Sequence, residues 1–141
     1  MSIPACFFDT NILFYLLSVD EPKADRAEEL LADGGVISVQ VLNEFASVAA
    51  RKLNMPWADI RQILAGIRAA CQVEALTEAM HECGLDLAQR YGFSFYDATI
   101  AAAALLSGCS TLYTEDFHHG LIIEGKVTIV NPFRDLGQTN V

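Results

Sequence analysis

The sequence predicts a mixed α/β domain built around a parallel sheet. Two observations carry that reading. Short apolar runs, each closed by an acidic residue, a glycine or a turn, alternate with longer stretches whose apolar residues recur at helical spacing. No linker, repeat or low-complexity stretch divides the 141 residues, a length that suits one domain. Strands alternating with helices make βαβ units, and βαβ units make parallel sheets.

The elements follow in order. Ile3 to Phe8 reads as a buried strand that stops at Asp9. Residues 10 to 18 are apolar almost throughout and read as one short, mostly buried helix. Asp20-Glu21-Pro22 has the early proline and first-turn acid of a helix start, and that helix stops near Gly34-Gly35. Val36 to Val39 is a second strand. Val41, Leu42, Phe45, Val48 and Ala49 mark a helix running to about Leu53. Asn54-Met55-Pro56 opens another, with Ile60, Ile63, Leu64 and Ile67 on one face. Val73 to Leu76 is a weak strand, and Thr77 caps a helix that ends around Tyr91-Gly92. Ser94 caps the helix Tyr96 to Ser107, closed by Gly108. Strands at Ser110 to Thr114 and Lys126 to Val130 finish a domain of residues 1–133. Residues 134–141 form a dispensable polar tail.

Composition removes several classes of function. Apolar residues make up 52% of the chain and mean hydropathy is +0.30, which excludes a disordered or solvating acidic protein. Nine basic residues face 18 acidic ones, for a net charge of −9. A diffuse basic surface is therefore excluded, and any nucleic-acid contact needs a local offset. Cys6, Cys71, Cys83 and Cys109 form no C-x-x-C pair, as expected of reduced thiols in a cytoplasmic protein. His81-Glu82-Cys83 has no second ligand pair at zinc spacing. No secretory leader is expected, because Asp9 ends the first apolar run and no basic segment precedes it. The longest uncharged run, Ala98 to Thr114, is broken by Ser107, Gly108, Ser110 and Thr111. It falls short of the ~20 apolar residues of a membrane span.

Four acids fall where open α/β sheets place their chemistry. Asp9 follows the first strand, Asp116 follows the strand at 110–114, and Glu44 and Asp97 lie in early helix turns. Each has a plainer role: Asp9 as a helix cap, Asp97 in a capping box with Ser94, Glu44 on a solvated face, Asp116 in a turn. Together they are carboxylates on largely apolar elements, and buried carboxylates repel one another unless a cation neutralises them. Clustered oxygen ligands suit Mg²⁺ or Mn²⁺. No Ser-His-Asp set is visible, and His118 and His119, just past Asp116, read as surface loop residues. Residues 51–68 hold Arg51, Lys52, Arg61 and Arg68 against Asp59, a local excess of three positive charges. Arg61 and Arg68, seven apart, share a helix face that is either solvated or a phosphate track.

Four segments together carry a family likeness. They are Phe8-Asp9-Thr10-Asn11; Glu44 in the third helix; Phe95-Tyr96-Asp97-Ala98-Thr99-Ile100-Ala101-Ala102; and Leu112-Tyr113-Thr114-Glu115-Asp116-Phe117. In order, spacing and flanking residues they resemble the motifs of the PIN-domain nucleases, above all the VapC-type toxins of toxin–antitoxin pairs. The resemblance spans about residues 3–133. It implies a three-layer α/β/α fold with parallel strands in order 3-2-1-4-5, a divalent-metal site and RNA cleavage. The acidic set it implies is Asp9, Glu44, Asp97 and Asp116. Thr114 is the small polar member of the fourth motif, and Thr10 and Asn11 orient the first aspartate. Glu115 is either a supporting residue or an exposed neighbour. The resemblance also implies a homodimer, and an antitoxin whose tail crosses the acidic site.

Two rival readings stand beside it. A haloacid-dehalogenase-like phosphatase also uses an aspartate after its first strand. It wants a second acid two residues on, where this chain has Asn11, and a catalytic lysine near a strand end, which is missing. An inert α/β interaction module would carry the same acids without binding metal.

Overall fold

The computed structural model describes residues 6–136. Residues 3–5 of the expected first strand and 137–141 of the expected tail lie outside that range. The described elements are β1 (Cys6–Phe8), α1 (Thr10–Phe14), a 3₁₀ turn (Tyr15–Leu17), α2 (Glu21–Ala32), β2 (Gly35–Ser38), α3 (Val39–Lys52), α4 (Trp57–Ala70), β3 (Cys71–Glu74), α5 (Glu78–Tyr91), α6 (Phe95–Leu106), β4 (Thr111–Tyr113), β5 (Ile122–Ile123) and β6 (Val127–Val130).

The sheet runs β3-β2-β1-β4-β6-β5. Its first five members are parallel, and in chain order they are the expected 3-2-1-4-5. The difference is at the edge, where β5 pairs antiparallel with β6. A two-residue strand is too short to show any alternation in sequence. Two further expectations shift. The single helix expected over 10–18 tightens after Phe14 into the 3₁₀ turn. The third strand begins at Cys71 rather than Val73, running straight out of α4, because its register against Gly35–Ser38 sets where pairing starts.

β1 is the centre of the sheet, pairing with β2 on one side and β4 on the other. The chain first builds outward through β2 and β3, then returns to build β4 and β6 on the opposite side. The strand order therefore reverses at β1 and opens a crevice beyond the carboxyl ends of β1 and β4. Phe7, Phe8, Val36, Ile37, Leu112 and Ile129 fill the sheet's core. α6 is buried from Ala98 to Ala104, which explains a helix with no polar face. It packs closely on α5. A Cβ at Gly84 would lie 2.8 Å from Thr99 Cγ2, so any larger residue there must push Thr99 or α6 aside.

Residues 12–17 leave less apolar surface exposed than their composition implies. Ile12 and Leu13 are buried, and of these residues only Leu17 is exposed. The larger exposed apolar side chains include Trp57, Leu76, Phe95 and Tyr96 instead.

Candidate active site

The crevice beyond β1 and β4 holds a cavity of about 500 Å³ lined by Asp9, Glu44, Asp97 and Asp116. Four elements deliver the four acids. Asp9 ends β1 and caps α1, accepting the Thr10 N–H at 2.7 Å through Oδ1. Glu44 lies half-buried on α3, at the edge of the face that buries Val41, Phe45 and Ala49. Asp97 sits in the first turn of α6, its own N–H bonded to the Ser94 cap at 3.3 Å. Asp116 follows β4. The plainer cap roles of Asp9 and Ser94-x-x-Asp97 are thus met, and the same caps aim both carboxyl groups at the cavity.

Hydrogen bonds fix the inner wall. Thr10 holds two acids at once: its N–H goes to Asp9, and its hydroxyl donates to Glu44 Oε1 at 2.7 Å. The fully buried Thr114 donates its hydroxyl to Asp9 Oδ2 at 2.8 Å and accepts the Asp116 N–H at 3.0 Å. Asn11 bridges the same loop, donating to Thr114 Oγ1 at 3.4 Å and accepting the Glu115 N–H at 3.4 Å. Glu115 is not in the cavity wall. Tyr15 donates its hydroxyl to the Glu115 carboxylate at 2.9 Å, which anchors the loop from its far side.

The electrostatics are those of crowded anions. Burial, above all, pushes the Asp9 carboxyl up to about 7. The Thr114 and Thr10 hydrogen bonds pull it down, and the Asp116 and Glu44 charges push it up. Asp97 is also raised, first by burial, against the Ser94 bond, and further by Asp116 and Glu44. Among the described residues none of the four carboxylates is ion-paired. Nor are any three His, Cys, Asp or Glu side chains gathered into a closed metal cage. An all-oxygen donor set with one buried, uncompensated carboxylate fits a hard divalent cation.

Arg51 and Lys52 also line this cavity. Sequence reasoning weighted Arg61 and Arg68, which instead flank a separate groove with Trp57, Leu42 and Leu64. The signal was present: Arg51 and Lys52 lie seven and eight residues beyond Glu44, on the same stripe of α3. His118 is exposed, and His119 accepts the Asn131 N–H through Nδ1 at 3.1 Å, so both belong to the loop. All four thiols are free, and burial raises each pKa, that of Cys109 to about 12. Among the described residues no helix is long and apolar enough to cross a membrane.

Solved structures with the same fold include toxins. A toxin–antitoxin complex from Klebsiella pneumoniae is 23% identical with a TM-score of 0.69, over 90% of this chain and 97% of that one. The Mycobacterium tuberculosis VapC20, described as a sarcin-ricin-loop-cleaving toxin, is 24% identical with a TM-score of 0.63, over 79% and 89%. FitAB bound to a DNA fragment is 19% identical with a TM-score of 0.66, over 91% and 95%. No curated protein matches the sequence. The family model for the PIN domain matches residues 6–120, a span that contains the sheet's centre and all four cavity acids, and the chain belongs to that family.

Proposed function

We propose that this chain is a divalent-metal-dependent endoribonuclease, the toxin of a toxin–antitoxin pair. One observation carries the reading: Asp9, Glu44, Asp97 and Asp116, from four separate elements, line one cavity at the sheet's switch point, and among the described residues none of them is ion-paired. Family membership supports a nuclease, and the toxins among the structural neighbours support the toxin role. It also removes the main ground for the phosphatase reading.

Asp9, Asp97 and Asp116 would hold Mg²⁺ or Mn²⁺. A bound ion of that kind supplies a water of lowered pKa and stabilises the leaving oxygen of a phosphodiester. The chain's own residues do the rest. Thr10 and Thr114 each donate to one Asp9 oxygen and so fix the carboxylate plane. Glu44 is held through Oε1, which leaves Oε2 to join the ligand set or to orient the attacking water. Arg51 and Lys52 offer positive charge to substrate phosphates and offset locally the net charge of −9.

The proposal extends to partners. A second copy completes a two-fold dimer. An antitoxin segment seats a basic side chain among the carboxylates, pairing with them in place of the metal. The test is a purified chain incubated with single-stranded RNA. Cleavage with Mg²⁺ or Mn²⁺ that stops with chelator supports the proposal, and an inert module gives no cleavage and no metal-induced rise in melting temperature.

A further inference from the structure

Of the four cavity acids only Asp116 is exposed, and among the described residues nothing bonds to its carboxylate. Asp9 and Glu44 are held by Thr10 and Thr114, and Asp97 by Ser94. Asp116 sits on the loop after β4, so its place is set by its neighbours in the chain. Phe117, next in sequence, meets Phe93 edge-on with ring centroids 4.9 Å apart. Glu115, just before it, shares the Tyr15 hydroxyl between its two carboxylate oxygens, each 2.9 Å away. A hydrogen bond to an ionised acceptor is among the stronger ones. Burial first, then the Glu115 bond and charge, push the Tyr15 hydroxyl up to about 12, so it stays a donor at ordinary pH. Tyr15 is itself seated. Its ring centroid lies 4.3 Å from that of the buried Phe133, and Lys23 Nζ lies 5.2 Å from its centre. Phe133 belongs to the segment that leaves β6. Arg26 of α2 donates to the Pro132 carbonyl at 2.6 Å, and Asn131 Oδ1 accepts the Phe133 N–H at 3.0 Å. The Leu136 N–H closes a turn on the Phe133 carbonyl at 3.0 Å.

We infer that Tyr15 is a positioning residue for Asp116: fastened to Phe133 on one side and to Glu115 on the other, it sets how the loop presents Asp116 to a divalent cation. The inference rests on the metal-site reading. A ligand on an unanchored loop must be ordered when the cation binds, and that ordering is subtracted from the affinity. An anchored loop has less freedom left to lose. Cation affinity, more than the fold, therefore registers the loss of the anchor. Segment 131–136 contributes to the site in the same way, although none of its residues lines the cavity.

The test is calorimetry of Mn²⁺ binding to the full chain without RNA. Tyr15→Phe keeps the ring and removes the hydroxyl, and its Mn²⁺ dissociation constant should rise about tenfold. Glu115→Ala should weaken binding at least as much, and the double variant no more than Glu115→Ala alone. Phe133→Ala, measured below its melting temperature, should weaken binding too. Saturating Mn²⁺ should return RNA cleavage by Tyr15→Phe to the unaltered rate, whereas a rate that stays low at saturation overturns the inference. Affinity unaltered or tightened in Tyr15→Phe, while the unaltered chain binds Mn²⁺, overturns the role of Tyr15 and leaves the metal site standing. Fully additive losses in the double variant do the same. Unaltered affinity in Phe133→Ala overturns the part given to segment 131–136. If the unaltered chain binds no Mn²⁺, the metal-site reading falls and this inference falls with it.

Discussion

The Thr114 hydroxyl donates to Asp9 Oδ2 at 2.8 Å, joining the ends of two neighbouring parallel strands at the bottom of the carboxylate cavity. The same hydroxyl oxygen accepts the Asp116 N–H and the Asn11 amide, so one small side chain sets the loop that carries two of the cavity's features. Both partners are buried, which makes the bond costly to lose.

Thr114→Val keeps the shape and deletes the donor. Asp9 then loses the bond that most lowers its pKa, and its carboxylate is free to turn. We expect Mn²⁺ affinity, measured by calorimetry, to fall about 10–100-fold. Unchanged affinity would mean that Thr114 does not position Asp9 for the metal.

The raised pKa of Asp9 makes the metal-free protein sensitive to pH. Unfolded, the group titrates near its ordinary 3.8; folded, it titrates near 7. Between these values the folded chain keeps a proton that the unfolded chain has released, so stability is lost as pH rises from about 4 to about 7 and levels off above that. The gap bounds the loss at ~4 kcal/mol. Urea unfolding without metal should show a smaller loss over this range in Asp9→Asn than in the unaltered chain. Equal losses would contradict the assignment.

Much of this was legible in the sequence because the acids sit at punctuation points. Asp9 ends an apolar run, Asp97 follows a serine cap by three, and Glu44 breaks an apolar helix start. What was not legible depends on contacts across the chain. Tyr15 meets Glu115 a hundred residues away, and no local pattern marks either as the other's partner. Arg61 and Arg68 share a face, but sequence does not say that this face turns to the groove beside Trp57.

Gly84 tests the packing behind the site. Alanine there gains helix propensity of up to ~1 kcal/mol, but its Cβ would press on the stiff, branched Thr99 at 2.8 Å. Overpacking of this kind costs ~1–3 kcal/mol, so Gly84→Ala should destabilise. A higher melting temperature in the variant would show that α5 can shift freely off α6.

Antitoxin binding should depend on the cavity acids. Asp97→Asn should weaken it, and Mg²⁺ should compete with it, because a basic side chain and the cation would occupy the same carboxylates. Affinity indifferent to both would mean inhibition by surface coverage instead.

The most direct measurement is the cleavage of end-labelled single-stranded RNA by the unaltered chain and by Asp97→Asn, side by side in saturating Mn²⁺. Asp97 is half-buried at the start of α6, and neutralising it relieves repulsion from Asp116 and Glu44. The account predicts that the unaltered chain cleaves and that the variant does not, while the variant's metal-free melting temperature is equal or higher. Cleavage by Asp97→Asn at the unaltered rate would contradict it.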